Sequence, residues 1–263
     1  MIKKYKFTKN RWRLAVRTLP LILIVIVAKY LAHYYDVEFL TLNALFTAII
    51  SANIFLIGFL ITGTLSDFKE SERLPGELAA SLQVMADEAH IIYLNKKSNE
   101  SLDLLNSVKD LNEKIIDWFY KKTKTDELYL SLLGLNQHFL NIEPQTQANF
   151  IVRIKNEQNN IRRNISRIHT IRETSFLGTG YAIAEIITTI LIIGLIFVNL
   201  NPFHEKMFFV SFVSFMMIYM IFFIKDLDNP FSYYETDSLV EEVSLKPVVD
   251  SRDRIEKLIS TLN

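Results

Sequence analysis

Four long apolar blocks constrain the fold of this chain more than any other feature of its sequence. They are residues 18–32, 39–65, 181–200 and 207–224, and the only charged residues inside them are Lys29 and Glu185. At 1.5 Å per residue, each of the last three can cross a hydrocarbon core about 30 Å thick. The first is long enough once His33, Tyr34 and Tyr35 are added as an interfacial belt. The blocks therefore predict four transmembrane helices.

The basic residues predict the orientation of these helices. Seven of them precede the first block, which favours a cytoplasmic N-terminus, and the short turns at residues 36–38 and 201–206 belong on the outer side. We expect a multi-pass protein of the cell membrane with both termini in the cytoplasm. Its expected segments are an N-terminal segment with helices 1 and 2 (1–65), a cytoplasmic domain (66–176), helices 3 and 4 (177–225) and a C-terminal tail (226–263). The seven basic residues are Lys3, Lys4, Lys6, Lys9, Arg11, Arg13 and Arg17.

Composition and motifs argue against several functional classes. The 263 residues include no cysteine, which removes disulfides, thiol catalysis and cysteine-ligated metals. No metal-binding histidine motif, phosphate-binding glycine loop or nucleophile elbow is present. We therefore expect no enzyme, no bound metal and no nucleic acid, and we expect membrane lipid as a partner.

The charged middle of the chain has helical periodicity. Apolar residues recur at helical spacing in residues 75–97, 98–120, 128–140 and 145–174, and no strand pattern stands out. Pro75-Gly76 is expected to open the first of these helices. The predicted fold class is an all-α membrane protein with four transmembrane helices and a helical cytoplasmic domain.

A row of polar and aromatic residues marks the second block. Its members follow at steps of three or four, so they lie along one side of a helix. Polar groups gain nothing from lipid, so this side is expected to face protein or water. Ordinary helix packing is the alternative. The polar–aromatic row consists of Asn43, Thr47, Ser51, Phe55, Phe59, Thr62 and Ser66.

Two short motifs resemble those of the bestrophin family. The run Ile57-Gly-Phe-Leu-Ile-Thr62, followed by Glu72-Arg-Leu-Pro75, is similar to the bestrophin neck segment, and Asp228-Asn-Pro-Phe231 is similar to the motif that opens the acidic segment of that family. The resemblance covers roughly residues 1 to 240. It implies a ring-forming homo-oligomer, a pentamer, whose second spans surround an anion-conducting pore. By position, it implies a pore neck at Phe55, Phe59 and Ser51, with Asn43, Thr47, Thr62 and Ser66 lining the pore.

The chain departs from the family at two places. Ser66-Asp67-Phe68-Lys69 stands where bestrophins carry Arg-Trp-Trp, and Ser232-Tyr233-Tyr234-Glu235-Thr236-Asp237 replaces a run of acids. The acids that remain in and near that segment are a candidate calcium site, although solvated carboxylates are the simpler interpretation. They are Asp226, Asp228, Glu235 and Asp237.

Together these features favour a bestrophin-like oligomeric ion channel whose permeant ions are small anions such as chloride. One alternative is a cation-selective or non-selective channel, because Asp67, Glu70 and Glu72 follow the neck. Another is a non-conducting scaffold or sensor whose cytoplasmic domain binds a partner.

Arginines in residues 145–174 either attract anions or pair with acids of neighbouring helices. We expect Glu185 to be hydrogen-bonded to Asn53, Tyr181 or a neighbouring span rather than to form a proton site.

Overall fold

The fold is described from a computed structural model that covers residues 12–174, 177–231, 233 and 243–262. Within these ranges the chain is almost entirely helical, which confirms the all-α fold class. The helices are α1 (Arg13–Tyr34), α2 (Ala44–Lys96), α3 (Asn99–Phe119), α4 (Thr125–Ile142), α5 (Ala148–Glu173), α6 (Gly178–Phe197), α7 (Phe203–Leu227) and α8 (Lys246–Ser260).

The four predicted membrane helices are present as α1, α2, α6 and α7. In the described part of the chain these are the helices that are long and apolar enough to cross a membrane. The basic residues from Lys3 to Arg11 lie outside the described residues. The orientation of the spans therefore stays a prediction.

Helix α2 extends far beyond the apolar block of residues 39–65. It runs without interruption from Ala44 to Lys96, 53 residues with Pro75 inside, or about 80 Å. The prediction that a separate helix begins at Pro75 was wrong. Proline removes one backbone donor, but Leu74 and Leu78 on either side of it are buried. Their packing favours a continuous helix across this position.

The chain divides into two compact units. The first unit contains α1, α2 as far as Phe68, α6 and α7. One apolar cluster joins Val25, Leu195 and Val210 from three different helices. A second cluster joins Ile57 and Leu60 of α2 to α6 and α7. The first unit is thus a bundle in which each helix buries one side and exposes the other.

Two glycines allow α6 to pack closely against α2. A Cβ atom added at Gly194 would lie 2.9 Å from Cε2 of Phe46, and one added at Gly180 would lie 3.0 Å from Cδ2 of Leu60. A side chain at position 194 would therefore force the Phe46 ring to move, and one at position 180 would force the ends of the Leu177 and Leu60 side chains to shift. Helix α6 therefore packs directly against α2.

The second unit contains the rest of α2, α3, α4, α5 and α8. Helix α3 begins at the predicted place, where the Ser98 hydroxyl accepts a hydrogen bond from the Ser101 amide. Helix α5 starts at Ala148, three residues later than predicted, because a 3₁₀ turn covers Glu143–Gln145. Helix α8 was not predicted, although its buried residues Val248, Ser251 and Ile255 have helical spacing.

A short pair of parallel strands was also missed. Leu40–Thr41 (β1) pairs with Val198–Asn199 (β2), with Leu40 opposite Val198. Two-residue strands are too short to produce an alternating pattern in the sequence. The pair connects the chain before α2 to the chain after α6.

Candidate functional site

The polar–aromatic row lies on the exposed surface of α2, which it shares with Leu45, Ile49 and Ile54. All seven residues are exposed, with exposed fractions of 78% for Phe55 and 59% for Phe59. The opposite side is buried at Asn53, Ile57 and Leu60. In a single copy of the chain, therefore, the row is covered neither by α6 nor by α7.

Hydrogen bonds within α2 satisfy much of the polarity of the row. Asn43 Oδ1 accepts from the Phe46 amide at 2.8 Å and caps the helix. The Thr47, Ser51 and Thr62 hydroxyls each donate to the backbone carbonyl four residues earlier, at 3.1, 2.9 and 2.9 Å. Because these hydroxyl donors are already hydrogen-bonded, exposing them to lipid costs less free energy than exposing unpaired hydroxyls would. The exposure and order of the row's residues consequently carry more weight than their polarity.

Polar contacts on the buried side hold α2 against its neighbours. The Asn53 amide donates to Thr188 Oγ1 at 2.9 Å. Tyr181 Oη lies 3.0 Å from Thr64 Oγ1 and donates to Asp228 Oδ1 at 2.7 Å. Hydrogen bonds through Tyr181 of α6 thus link α2 to the end of α7. Together with the Asn53–Thr188 bond, they fix the rotation of α2 about its own axis.

Glu185 has a partner on a neighbouring span. Its carboxylate lies 2.8 Å from Nζ of Lys225 on α7. The expectation of a neighbouring-span partner is therefore correct, but neither Asn53 nor Tyr181 is that partner. Both side chains are about half exposed, so this pair contributes little net stability.

A buried ionic cluster in the first unit was not predicted. Glu38 Oε1 lies 2.8 Å from Lys29 Nζ, and Glu38 Oε2 lies 2.5 Å from Lys206 Nζ. The three charged side chains are between 1 and 3% exposed. Lys29 also donates to the carbonyls of Ile196 and Val198, at 2.9 and 2.5 Å, at the C-terminal end of α6. The one sequence sign of this cluster was a lysine inside an apolar block.

The cluster controls the ionisation of Glu38, which lies in the turn after α1. Burial alone would raise the pKa of the Glu38 carboxyl, but hydrogen bonds from Lys206 and Lys29 outweigh it and hold the pKa below its usual value. Glu38 is therefore a carboxylate at neutral pH. It joins α1 to α7 at the place where the two strands pair.

Arginines of α5 pair with acids of α2 inside the second unit. Arg167 binds Glu70 with two nitrogens at 2.8 and 2.5 Å, and Arg153 lies 3.1 Å from Glu88. The bidentate geometry of the Arg167–Glu70 pair fixes both of its side chains. The pairing alternative is therefore correct for these two arginines, and the Glu70 charge is compensated.

The candidate calcium site is only partly within the described residues. Asp226 and Asp228 lie at the C-terminal end of α7, and Asp228 accepts the Tyr181 hydrogen bond. Glu235 and Asp237 lie outside the described residues. Within the described ranges, no group of three or more potential metal ligands is present. Calcium binding stays a prediction.

Comparison with solved structures shows which known fold this arrangement has. A crystal structure of a single-residue variant of a bacterial bestrophin homologue from Klebsiella pneumoniae matches with a TM-score of 0.74 and 14% identity, covering 95% of this chain and 98% of that one. A second variant of a bacterial bestrophin homologue from Klebsiella pneumoniae matches with a TM-score of 0.75 and 14% identity, covering 92% and 97%.

Sequence comparison alone does not reveal this structural similarity. No protein-family model matches the chain, and no curated protein matches it. The structural similarity extends over nearly the whole of both chains. The chain therefore has the fold of the bacterial bestrophin homologues.

Proposed function

We propose that this protein is an oligomeric ion channel of the bestrophin type in the cell membrane, with small anions such as chloride as its favoured permeant ions. The observation that carries the proposal is the exposed polar–aromatic row on α2, within a fold similar to bestrophin homologues over 95% of the chain. We propose that both termini and the residues between the second and third spans lie in the cytoplasm, because basic residues precede the first span.

The pore requires several copies of the chain. One helix presents one row and cannot enclose a path for ions, so copies of the row must face a common symmetry axis. Enclosing such a path takes more than two copies, and the bestrophin resemblance implies five. In the ring, α6 packs behind α2 through Gly180 and Gly194.

Phe55 and Phe59 form the neck of the proposed pore, with Ser51 one turn earlier. Aromatic ring edges carry partial positive charge and can face a partly dehydrated anion. A hydrophobic constriction also restricts conduction by excluding water. The row contains no charged residue, which fits a weakly selective pore better than a tight binding site.

The pairing of α2 with α5 neutralises an acid that would favour cations, and it equally neutralises an arginine that would attract anions, so the proposed anion preference rests on the aromatic neck. Of the three acids that follow the neck, Glu70 is compensated by Arg167. Asp67 and Glu72 are the sequence features that support the alternative, a cation-selective channel. Their effect on ions in a wide vestibule is screened over about 8 Å at physiological salt.

Single-cysteine labelling tests the proposal, because the parent chain has no cysteine. Phe59→Cys should react with a membrane-impermeant, water-soluble thiol reagent, and the reaction should change the ion flux of reconstituted vesicles. Ile54→Cys is the matched control, since Ile54 is also exposed on α2 but lies off the row. Labelling of Ile54→Cys but not of Phe59→Cys would show that the row faces lipid.

A further inference from the structure

Two apolar surfaces of the second unit are left uncovered in one copy of the chain. We infer that they pack against each other between neighbouring copies and form a subunit interface outside the membrane. The first surface is the α2 stripe (Val84, Asp87, Ile91 and Leu94). The second is the α4 stripe (Leu130, Leu133, Gln137 and Leu140). This inference rests on the proposed oligomeric channel and names the surfaces that join its subunits.

The exposure of these residues is unusual for a water-facing helix. The six apolar members of the two stripes are between 39% and 66% exposed. Residues 128–142 of α4 contain no aspartate, glutamate, lysine or arginine, although one whole side of this helix is uncovered. A continuous apolar face of this kind on a soluble unit marks a binding surface.

Neither stripe can be explained by the core of the second unit. The buried side of α4 is formed by Leu128, Leu132, Leu135, Phe139 and Ile142, which are different residues. On α2 the buried side is likewise separate, and includes Leu82, Met85, Ala89 and Ile92. The stripes are therefore additional apolar sides, and packing within one copy leaves both exposed.

The spacing of the two stripes is complementary. Along α4 the steps are three, four and three residues, and the order is apolar, apolar, polar, apolar. Along α2 the same steps and the same order appear when the helix is read backwards from Leu94. Antiparallel packing would place Leu94, Ile91 and Val84 opposite Leu130, Leu133 and Leu140. It would also place Asp87 opposite Gln137, an amide that can donate to its carboxylate.

Charges beyond the ends of the stripes are complementary in the same orientation. Asp126 and Glu127 precede Leu130, and Lys96 and Lys97 follow Leu94, all four being exposed. Antiparallel packing brings these acids and bases to the same end of the interface. A parallel arrangement would mismatch both the polar pair and the charges.

The pairing of two different surfaces implies a head-to-tail assembly. Each copy offers an α2 stripe to one neighbour and an α4 stripe to another, which generates a ring if the rotation closes. The steps of three and four residues match those of helices that interlock along a narrow seam. The partner is thus a second copy of this chain, not a different protein.

Thiol cross-linking of the full-length protein tests the interface directly. The double variant Ile91→Cys with Leu133→Cys, treated with a short bifunctional thiol reagent in native membranes, should give a ladder of covalent oligomers beyond the dimer. A mixture of the two single variants should stop at dimers. The matched control is Glu72→Cys with Leu133→Cys, because Glu72 is exposed on α2 but lies outside the stripe; it should give no ladder.

The other outcomes separate the interface from the proposed function. An assembled, conducting protein without cross-links would overturn the interface and leave the channel intact. Dimers alone from the double variant, or cross-links to another protein, would also overturn it. A monomer that conducts no ions would overturn both. In a second test, Leu133→Glu and Ile91→Lys should each cause loss of assembly, and their combination should restore it.

Discussion

Phe55 and Phe59 are the residues on which the proposed pore most depends. If their rings narrow and dewet the pore, replacing both with alanine should raise the conductance or the open probability and loosen ion discrimination. Single-channel recording of Phe55→Ala with Phe59→Ala measures this. Ile54→Ala, which removes an exposed side chain off the row, should leave conduction unchanged. A double variant that assembles and conducts like the parent would show that the rings only pack.

Glu38 offers a second test at the scale of single residues. Replacing Glu38 with glutamine leaves the buried Lys29 and Lys206 without a counter-charge. We expect the free energy of unfolding in detergent to fall by about 3–5 kcal/mol. The matched control Glu72→Gln, at an exposed position, should change it by less than about 0.5 kcal/mol. Equal effects of the two substitutions would contradict a stabilising role of the cluster.

The lowered pKa of Glu38 predicts how this contribution depends on pH. The pKa is below its unfolded value in the folded protein, so the folded state favours the carboxylate. The stabilisation is complete above the unfolded pKa of about 4.3 and is lost as pH falls through the folded value. Thermal unfolding should therefore show the parent and Glu38→Gln converging below about pH 4. A constant difference down to pH 3 would contradict the assignment.

At the scale of elements, the close contact between α6 and α2 depends on glycine. A Cβ atom at position 194 would be 2.9 Å from the Phe46 ring, so Gly194→Ala should lower the free energy of unfolding by about 1–3 kcal/mol. Gly76→Ala is the matched control, because nothing lies within 4 Å of its added Cβ atom. It should stabilise the protein by about 0.4–1 kcal/mol. Chemical denaturation in detergent distinguishes the two signs.

The elements also show what could be predicted from the sequence. Apolar blocks and helical periodicity identified the four spans and most of the second unit, since burial of one helix side leaves a periodic pattern. Continuity through Pro75 could not be read locally, because burial of Leu74 and Leu78 outweighs the lost donor. The pairing of β1 with β2 joins segments that are far apart in sequence and too short to leave a pattern.

Only part of the candidate site could be predicted from the sequence. The row on α2 follows from helical spacing alone, and its exposure in the structure agrees with that spacing. The Lys29–Glu38–Lys206 cluster and the Arg167–Glu70 pair are contacts over long sequence separations. Charge patterns show that such residues need partners, but only the packing of the helices decides which partners meet.

The proposed pore can exist only in an assembly of several copies of the chain. The chain purified in a mild detergent should be an oligomer of more than two copies, and the bestrophin resemblance implies five. Native mass spectrometry counts the copies without any assumption about shape. A stable monomer would contradict the pore, because the row on one helix cannot enclose a path for ions.

The reversal potential of the purified protein in planar bilayers under a salt gradient shows whether the protein conducts anions, conducts cations or is silent. We predict channel currents whose reversal potential is displaced toward the chloride equilibrium potential, with a modest preference and with larger, weakly hydrated anions passing better than chloride. A reversal potential near the cation equilibrium value would contradict the anion assignment and support the cation-selective alternative. The absence of any current from a correctly assembled protein would contradict the channel itself and favour a scaffold or sensor.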